Sequence, residues 1–206
     1  MKYRYVEDPP FEKKFKSICK EAIAFVQRKM RSYLTFTVTL IGSGSRNMLM
    51  LNGKSKKVDL DFNFNIQRDK NNLLNNPFEL KRIAINAFKA YFKECDDVAV
   101  KNSKSAITIY LGEISKYICS FDCAFIVEGN DGYYHKLIFD KNFQRYIWNR
   151  MPHSQDHFAK YEWLKHHNYI DKIEDLYKTK KDVLNDESST IFIKTINELY
   201  MKYGQK

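Results

Sequence analysis

Asp59 and Asp61 lie in a run where Leu60, Phe62, Phe64 and Ile66 alternate with Asp59, Asp61, Asn63 and Asn65. Strict alternation is the pattern of a half-buried strand, in which residues two apart project from one face. The spacing therefore predicts a strand over 58–66 with the two carboxylates side by side and Asn63 beyond them. Two such charges about 4 Å apart repel by roughly 4 kcal/mol at an effective dielectric of about 20, and a shared divalent cation compensates them. Hard oxygen ligands of this kind suit Mg²⁺, which takes one or two carboxylates together with substrate phosphates.

Upstream stands Gly42-Ser43-Gly44-Ser45, directly after an apolar, β-branched run. Glycine lets the backbone approach an anion and turn its amides toward it, and serine hydroxyls add donors. A phosphate chain held by this loop, and bridged by metal to Asp59 and Asp61, would leave one phosphorus open to in-line attack. A third carboxylate is available at Asp122. In the strand predicted over 117–127, Tyr117, Cys119, Phe121, Cys123 and Phe125 form the apolar face, while Ile118, Ser120, Asp122 and Ala124 lie opposite. Asp122 is the single acid inside that otherwise uncharged strand, an expensive placement if buried alone. A position beside the metal would account for it.

These residues resemble the nucleotidyltransferases of the DNA polymerase beta superfamily. Their motif is Gly-Ser or Gly-Gly after an apolar strand, then some nine to thirteen residues, then acid-apolar-acid-apolar, with a third acid on a later strand. Here 13 residues separate Gly44-Ser45 from Asp59-Leu60-Asp61-Phe62, and 15 separate Gly42-Ser43 from it, so either Gly-Ser pair is a candidate for the triphosphate. The resemblance covers about residues 34–127. It implies a mixed sheet flanked by helices, two Mg²⁺ ions, and transfer of a nucleoside monophosphate from a triphosphate to a hydroxyl. By the same resemblance Asp59, Asp61 and Asp122 are the metal-binding and catalytic acids, and Asp122 could activate the acceptor hydroxyl. Gly42, Ser43, Gly44 and Ser45 would hold the nucleotide.

The elements that must position these groups are legible in outline. After Pro9 and Pro10, the apolar positions Phe11, Phe15, Ile18, Ala22, Val26 and Met30 recur at steps of three and four, predicting a helix over 11–31. A strand follows over 34–41, running into Gly42. Between the glycines and Asp59, the apolar stretch 48–51 and the turn signal Asn52-Gly53 fit either a short hairpin or a short helix. Pro77 opens a second helix reaching about residue 94, and further strands are expected over 106–111, 117–127 and 133–139. From Lys141 the pattern turns mostly helical, with Ile193, Ile196, Tyr200 and Tyr203 as the last apolar stripe. The expectation is an α+β fold: a mixed-sheet nucleotidyltransferase core at 1–140 and a C-terminal helical lobe at 141–206 that closes the cleft.

Composition sets the outer bounds. A 206-residue chain that is 44% hydrophobic, with 7 Gly and 4 Pro, can bury a sizeable core and is not disordered in character. The net charge of +10 attracts polyanions. Cys19, Cys95, Cys119 and Cys123 form no CxxC pair, the N-terminal ten residues are charged, and no apolar run reaches the roughly 18–20 residues of a membrane span. A cytoplasmic protein with no membrane partner is expected.

Other residues read more plainly. His153 and His157, with His166 and His167, have neither HExxH nor a cysteine pair beside them, and are read as surface or hydrogen-bonded histidines rather than a zinc site. Cys119 and Cys123 read as core. Lys54, Lys56 and Lys57 are equally suited to a solvated loop or to holding phosphates. Tyr161, Trp163, Tyr169 and Tyr177 read as helical core rather than base-stacking residues. The expected acceptor is RNA, particularly a tRNA end, as in the small nucleotidyltransferase toxins of toxin–antitoxin pairs that the chain is similar to in size. A protein hydroxyl, as in their antitoxin relatives, or a small molecule is the alternative acceptor, and a partner protein is left open. The competing reading is a non-catalytic nucleotide- or RNA-binding module on the same fold, which has no need of three converging acids.

Overall fold

The computed structural model describes residues 3–46, 48–151, 155–184, 186 and 188–204. The chain runs β1 (Tyr3–Tyr5), α1 (Pro9–Met30), β2 (Leu34–Ile41), a 3-10 turn (Gly42–Arg46), β3 (Met50–Asn52), β4 (Lys57–Asp69), a second 3-10 turn (Leu73–Asn75), α2 (Pro77–Tyr91), β5 (Ala99–Asn102), β6 (Ile107–Ile114), β7 (Tyr117–Glu128), β8 (Tyr134–Asp140), β9 (Arg145–Arg150), α3 (Gln155–His166), α4 (Ile170–Val183) and α5 (Ser188–Tyr203). This is the expected α+β architecture, a mixed sheet flanked by helices with further helices at the C-terminal end.

The two long helices start where local chemistry starts them. Pro9 and Pro10 occupy the first turn of α1, and the Asp8 carboxylate accepts a hydrogen bond from the Phe11 amide at 3.2 Å. Asn76 caps α2 in the same way, accepting from the Glu79 amide. Both helices pack on one face of the sheet. There Leu60, Phe64, Phe88 and Phe121 are fully buried, and the Phe36, Phe64 and Phe125 rings pack at centroid separations of 4.5 and 5.6 Å. Cys119 and Cys123 belong to this core as reduced thiols.

The opposite face carries the polar residues. β4 is the hub of the sheet: its first residues pair with β3, the stretch from Asp61 onward pairs antiparallel with β2, and its other edge pairs parallel with β7. The connector left open by the sequence is a hairpin, β3 to β4, preceded by the 3-10 turn over the glycines.

A second core joins the helical end to the rest. Leu164, Ile173, Tyr177, Ile191, Phe192, Ile196 and Leu199 pack with Met48 and Met50, and with the partly buried Tyr3 and Tyr5 of β1. The first strand and the glycine connector are thus tied to the C-terminal helices. Two expectations need adjustment. The sheet continues past Lys141, because Tyr146 and Trp148 turn inward against the main core while β9 pairs with β8. In α5 the buried stripe runs through Phe192, Thr195, Ile196 and Leu199, with Tyr200 and Tyr203 at its margin, because Phe192 packs against the rings of Tyr161 and Tyr177 and sets the face. Tyr177 is buried, and Tyr161, Trp163 and Tyr169 pack partly buried beside it, as the core reading expected. His167 hydrogen-bonds the Trp163 carbonyl oxygen and stacks on its ring, His166 is exposed, and His153 and the His157 side chain lie outside the described residues. Among the described residues, no helix is long and apolar enough to cross a membrane.

Candidate active site

β4 and β7 run parallel in a register that pairs Asp61 with Asp122 and Asp59 with Ser120. Register partners in adjacent strands share a face, so strand parity and pairing together bring the three acids to one spot. One carboxylate oxygen from each of Asp59, Asp61 and Asp122 lies within 4.8 Å of the others, and this is the group among the described residues that could hold a metal ion.

The glycine turn sits directly over them. β2 ends at Ile41, the partner of Asp61, and the chain leaves the sheet there at Gly42. Gly42 has φ +66°, a left-handed conformation, and a Cβ at this position would stand 3.0 Å from Asp61 Oδ2. Only glycine leaves that space beside the carboxylate open. Gly44 serves packing instead: it is buried, and a Cβ would collide with Leu60 Cδ2. The Gly42 carbonyl oxygen accepts hydrogen bonds from Ser45 Oγ at 2.9 Å and from the Arg46 guanidinium at 2.8 Å. Ser45 is thus engaged in closing its own turn, while the Ser43 carbonyl accepts from the Met48 amide. The pair next to the acids is Gly42-Ser43.

Crowded acids perturb one another. Asp59 keeps an exposed edge, yet the protein packed around its carboxylate, reinforced by the charges of Asp61 and Asp122, pushes its pKa from 3.8 to about 7. A 2.8 Å hydrogen bond from Ser120 Oγ and the charge of Lys181 act the other way. Burial also raises the pKa of Asp122, against the Thr108 hydroxyl and the charges of Lys136 and Lys81. Its Oδ1 is buried with no hydrogen-bond partner among the described residues. A cluster of acids that resists ionisation, with one oxygen unsatisfied, has the electrostatics a cation would relieve.

The sequence reading missed several neighbours. Lys181 of α4 acts on Asp59 from the helical side, and its ammonium donates to the hydroxyl of Ser188 at the start of α5. Tyr177, one turn before it, is influenced by Arg46 and Asp61. Arg46 in turn stacks over the Phe192 ring at 3.7 Å. Helices α4 and α5 therefore bring cations and hydroxyls to the acid cluster, and nothing in the sequence separated Lys181 from the other lysines. Thr108, on β6 opposite Asp122, was equally silent. Ser120 was visible as a residue on the acid face. Lys54, Lys56 and Lys57 are exposed on the β3–β4 turn.

No family model matches the chain and no curated protein matches it. Solved structures do. DncV of Vibrio cholerae in its GTP-bound form matches at TM-score 0.54 and 13% identity, over 84% of this chain and 47% of that one. DncV bound to 3'-deoxy ATP matches at 0.55 and 12%, over 88% and 51%. The CD-NTase CdnG of Bradyrhizobium diazoefficiens in complex with GTP matches at 0.51 and 13%, over 76% and 42%. DncV is a cyclic AMP-GMP synthase. The chain has their nucleotidyltransferase fold and spans about half their length.

Proposed function

We propose that this chain is a metal-dependent nucleotidyltransferase that moves a nucleoside monophosphate from a nucleoside triphosphate to a hydroxyl. The observation that carries the reading is the convergence of Asp59, Asp61 and Asp122 within 4.8 Å beneath Gly42. Asp59 and Asp61 would hold the divalent ions, two Mg²⁺ in this reading, with Asp122 as the third ligand. When bound, such ions neutralise a triphosphate and stabilise the charge that develops on the attacking and leaving oxygens.

The chain's own groups supply the positioning. Gly42 leaves room at Asp61 for a phosphate oxygen, and Ser43 stands beside it to donate. Lys181 and Ser188, held together by their hydrogen bond, approach from the helical side and would bind the outer phosphates. Burial makes the Asp122 carboxylate a stronger base than a free aspartate, which suits it to take the proton of the acceptor hydroxyl. The acceptor in this reading is a ribose hydroxyl. The net charge of +10 supports RNA, a tRNA end included, and the activity of DncV supports a second nucleotide.

The test is transfer of label from each of the four α-³²P nucleoside triphosphates with Mg²⁺, first alone and then with total RNA, comparing the wild type with Asp59→Ala plus Asp61→Ala. Label in a small product or in RNA, absent from the double variant, establishes the activity and its acceptor. Label in protein would move the acceptor to an amino-acid side chain. Triphosphate binding with no labelled product from any acceptor would leave the binding-module reading in its place.

A further inference from the structure

A second recess lies away from the acid cluster, where the start of α2, the turn between β5 and β6, and the β8–β9 hairpin meet. Its volume is about 660 Å³, within the span of sites that hold small ligands. Lys104, Lys141 and Arg145 line it, and among the described residues no aspartate or glutamate does. All three cations are exposed, and none forms an ion pair with a described residue. The two acids adjacent in sequence to the recess lining are engaged elsewhere: Asp140 accepts from the amides of Asn142 and Phe143 in the hairpin, and Glu79 is paired with Arg82.

Three cations around one recess make its potential positive and favour an anion there. The walls specify more than charge. Phe78, at the first turn of α2, lines the recess and is 67% exposed, so its ring is open to a ligand there. Tyr146, packed inward against Phe139 and the core, leaves part of a second ring on the wall, fixed by the hydrogen bond that its hydroxyl accepts from Asn102 at 2.6 Å. Rings, side-chain amides and cations together are what a base and a phosphate require, since any base offers a π face and hydrogen-bonding edges.

We infer that this recess is a second nucleotide site, which takes a free nucleoside phosphate with its base against Phe78 and Tyr146 and its phosphate among Lys104, Lys141 and Arg145. The site is joined to the acids. Ser103, which lines it, shares a 2.6 Å hydrogen bond with the Thr108 hydroxyl, and Thr108 is the register partner of Asp122, whose ionised form its hydroxyl favours. The inference does not depend on the proposed activity, because binding here needs neither the metal nor the acid cluster.

The experiment is calorimetric titration of the full chain with each of the four nucleoside monophosphates, in EDTA, for three proteins: wild type, Asp59→Ala plus Asp61→Ala, and Lys141→Ala plus Arg145→Ala. The last two changes fall on exposed side chains, Lys141 in the β8–β9 turn and Arg145 at the first residue of β9, and a thermal melt checks that each variant is folded. The expected result is binding that survives loss of the acids and weakens by about tenfold or more on loss of the two cations. Binding that disappears with the acids, or is indifferent to Lys141 and Arg145, overturns the inference. So does binding of a short RNA oligonucleotide where none of the monophosphates binds, since the recess would then belong to a strand. Absence of any binding overturns it as well, while leaving the proposed transferase activity untouched.

Discussion

Asp61 on β4 and Asp122 on β7 are direct register partners across a parallel strand pair, and Asp59 stands on the same face opposite Ser120. Parallel pairing keeps neighbouring side chains in step, so the position of the third acid follows from the register of one strand pair. A slip of a single residue would carry Asp122 to the apolar face.

Removing two of these three charges should cripple transfer while sparing the fold. Asp59→Ala with Asp61→Ala is expected to lower labelled transfer by about 10²–10³-fold or more, with the circular dichroism spectrum unchanged. Loss of the spectrum together with activity would make the acids structural and sink the assignment.

Asp122→Asn keeps the shape of the side chain and removes its charge. Transfer should fall by a comparable factor, and Mn²⁺ affinity measured by calorimetry should fall with it. Wild-type metal affinity in this variant would remove Asp122 from the ligand set.

The raised pKa of Asp59 gives a pH signature in metal-free protein. Its folded pKa of about 7 lies above the unfolded 3.8, so the folded state binds the proton more tightly. The ionised form is the costly one, and the stability present below about pH 4 is lost as pH rises through 7. Asp59→Asn should therefore raise the melting temperature at pH 8, by the equivalent of on the order of 1 kcal/mol once the screening at its exposed edge is counted, and leave it little changed near pH 4. Equal melting-temperature differences at the two pH values would contradict the shift. Added Mg²⁺ should stabilise the wild type at pH 8 and the variant much less.

The two glycines separate function from packing. Gly42→Ala would place a Cβ 3.0 Å from Asp61 Oδ2 in a left-handed conformation, costing about 1 kcal/mol of stability, and should weaken triphosphate binding strongly. Gly44→Ala would push against the buried Leu60 and cost about 1–3 kcal/mol, with nucleotide affinity per folded molecule retained. The opposite pattern, in melts and nucleotide titrations, would exchange their roles.

Lys181→Ala should raise the apparent KM for the triphosphate by about tenfold, with a smaller change in kcat. An unchanged KM would confine Lys181 to its contact with Ser188.

Alternation and spacing determined much of this in advance. The period of two placed Asp59 and Asp61 on one face, the same parity turned Asp122 away from Cys119, Phe121 and Cys123, and the Gly-Ser run marked the end of β2. Those are local signals, set by backbone geometry over a few residues. Which Gly-Ser pair meets the acids was decided by β2 leaving the sheet at Ile41, opposite Asp61, a pairing between distant strands. The inward turn of Tyr146 and Trp148, the chain of Ser103 and Thr108 to Asp122, and the approach of Lys181 and Ser188 likewise came only with the tertiary structure. Each depends on contacts between segments far apart in the chain. A lysine or threonine has no periodic signature that shows where its tip will lie once those segments pack.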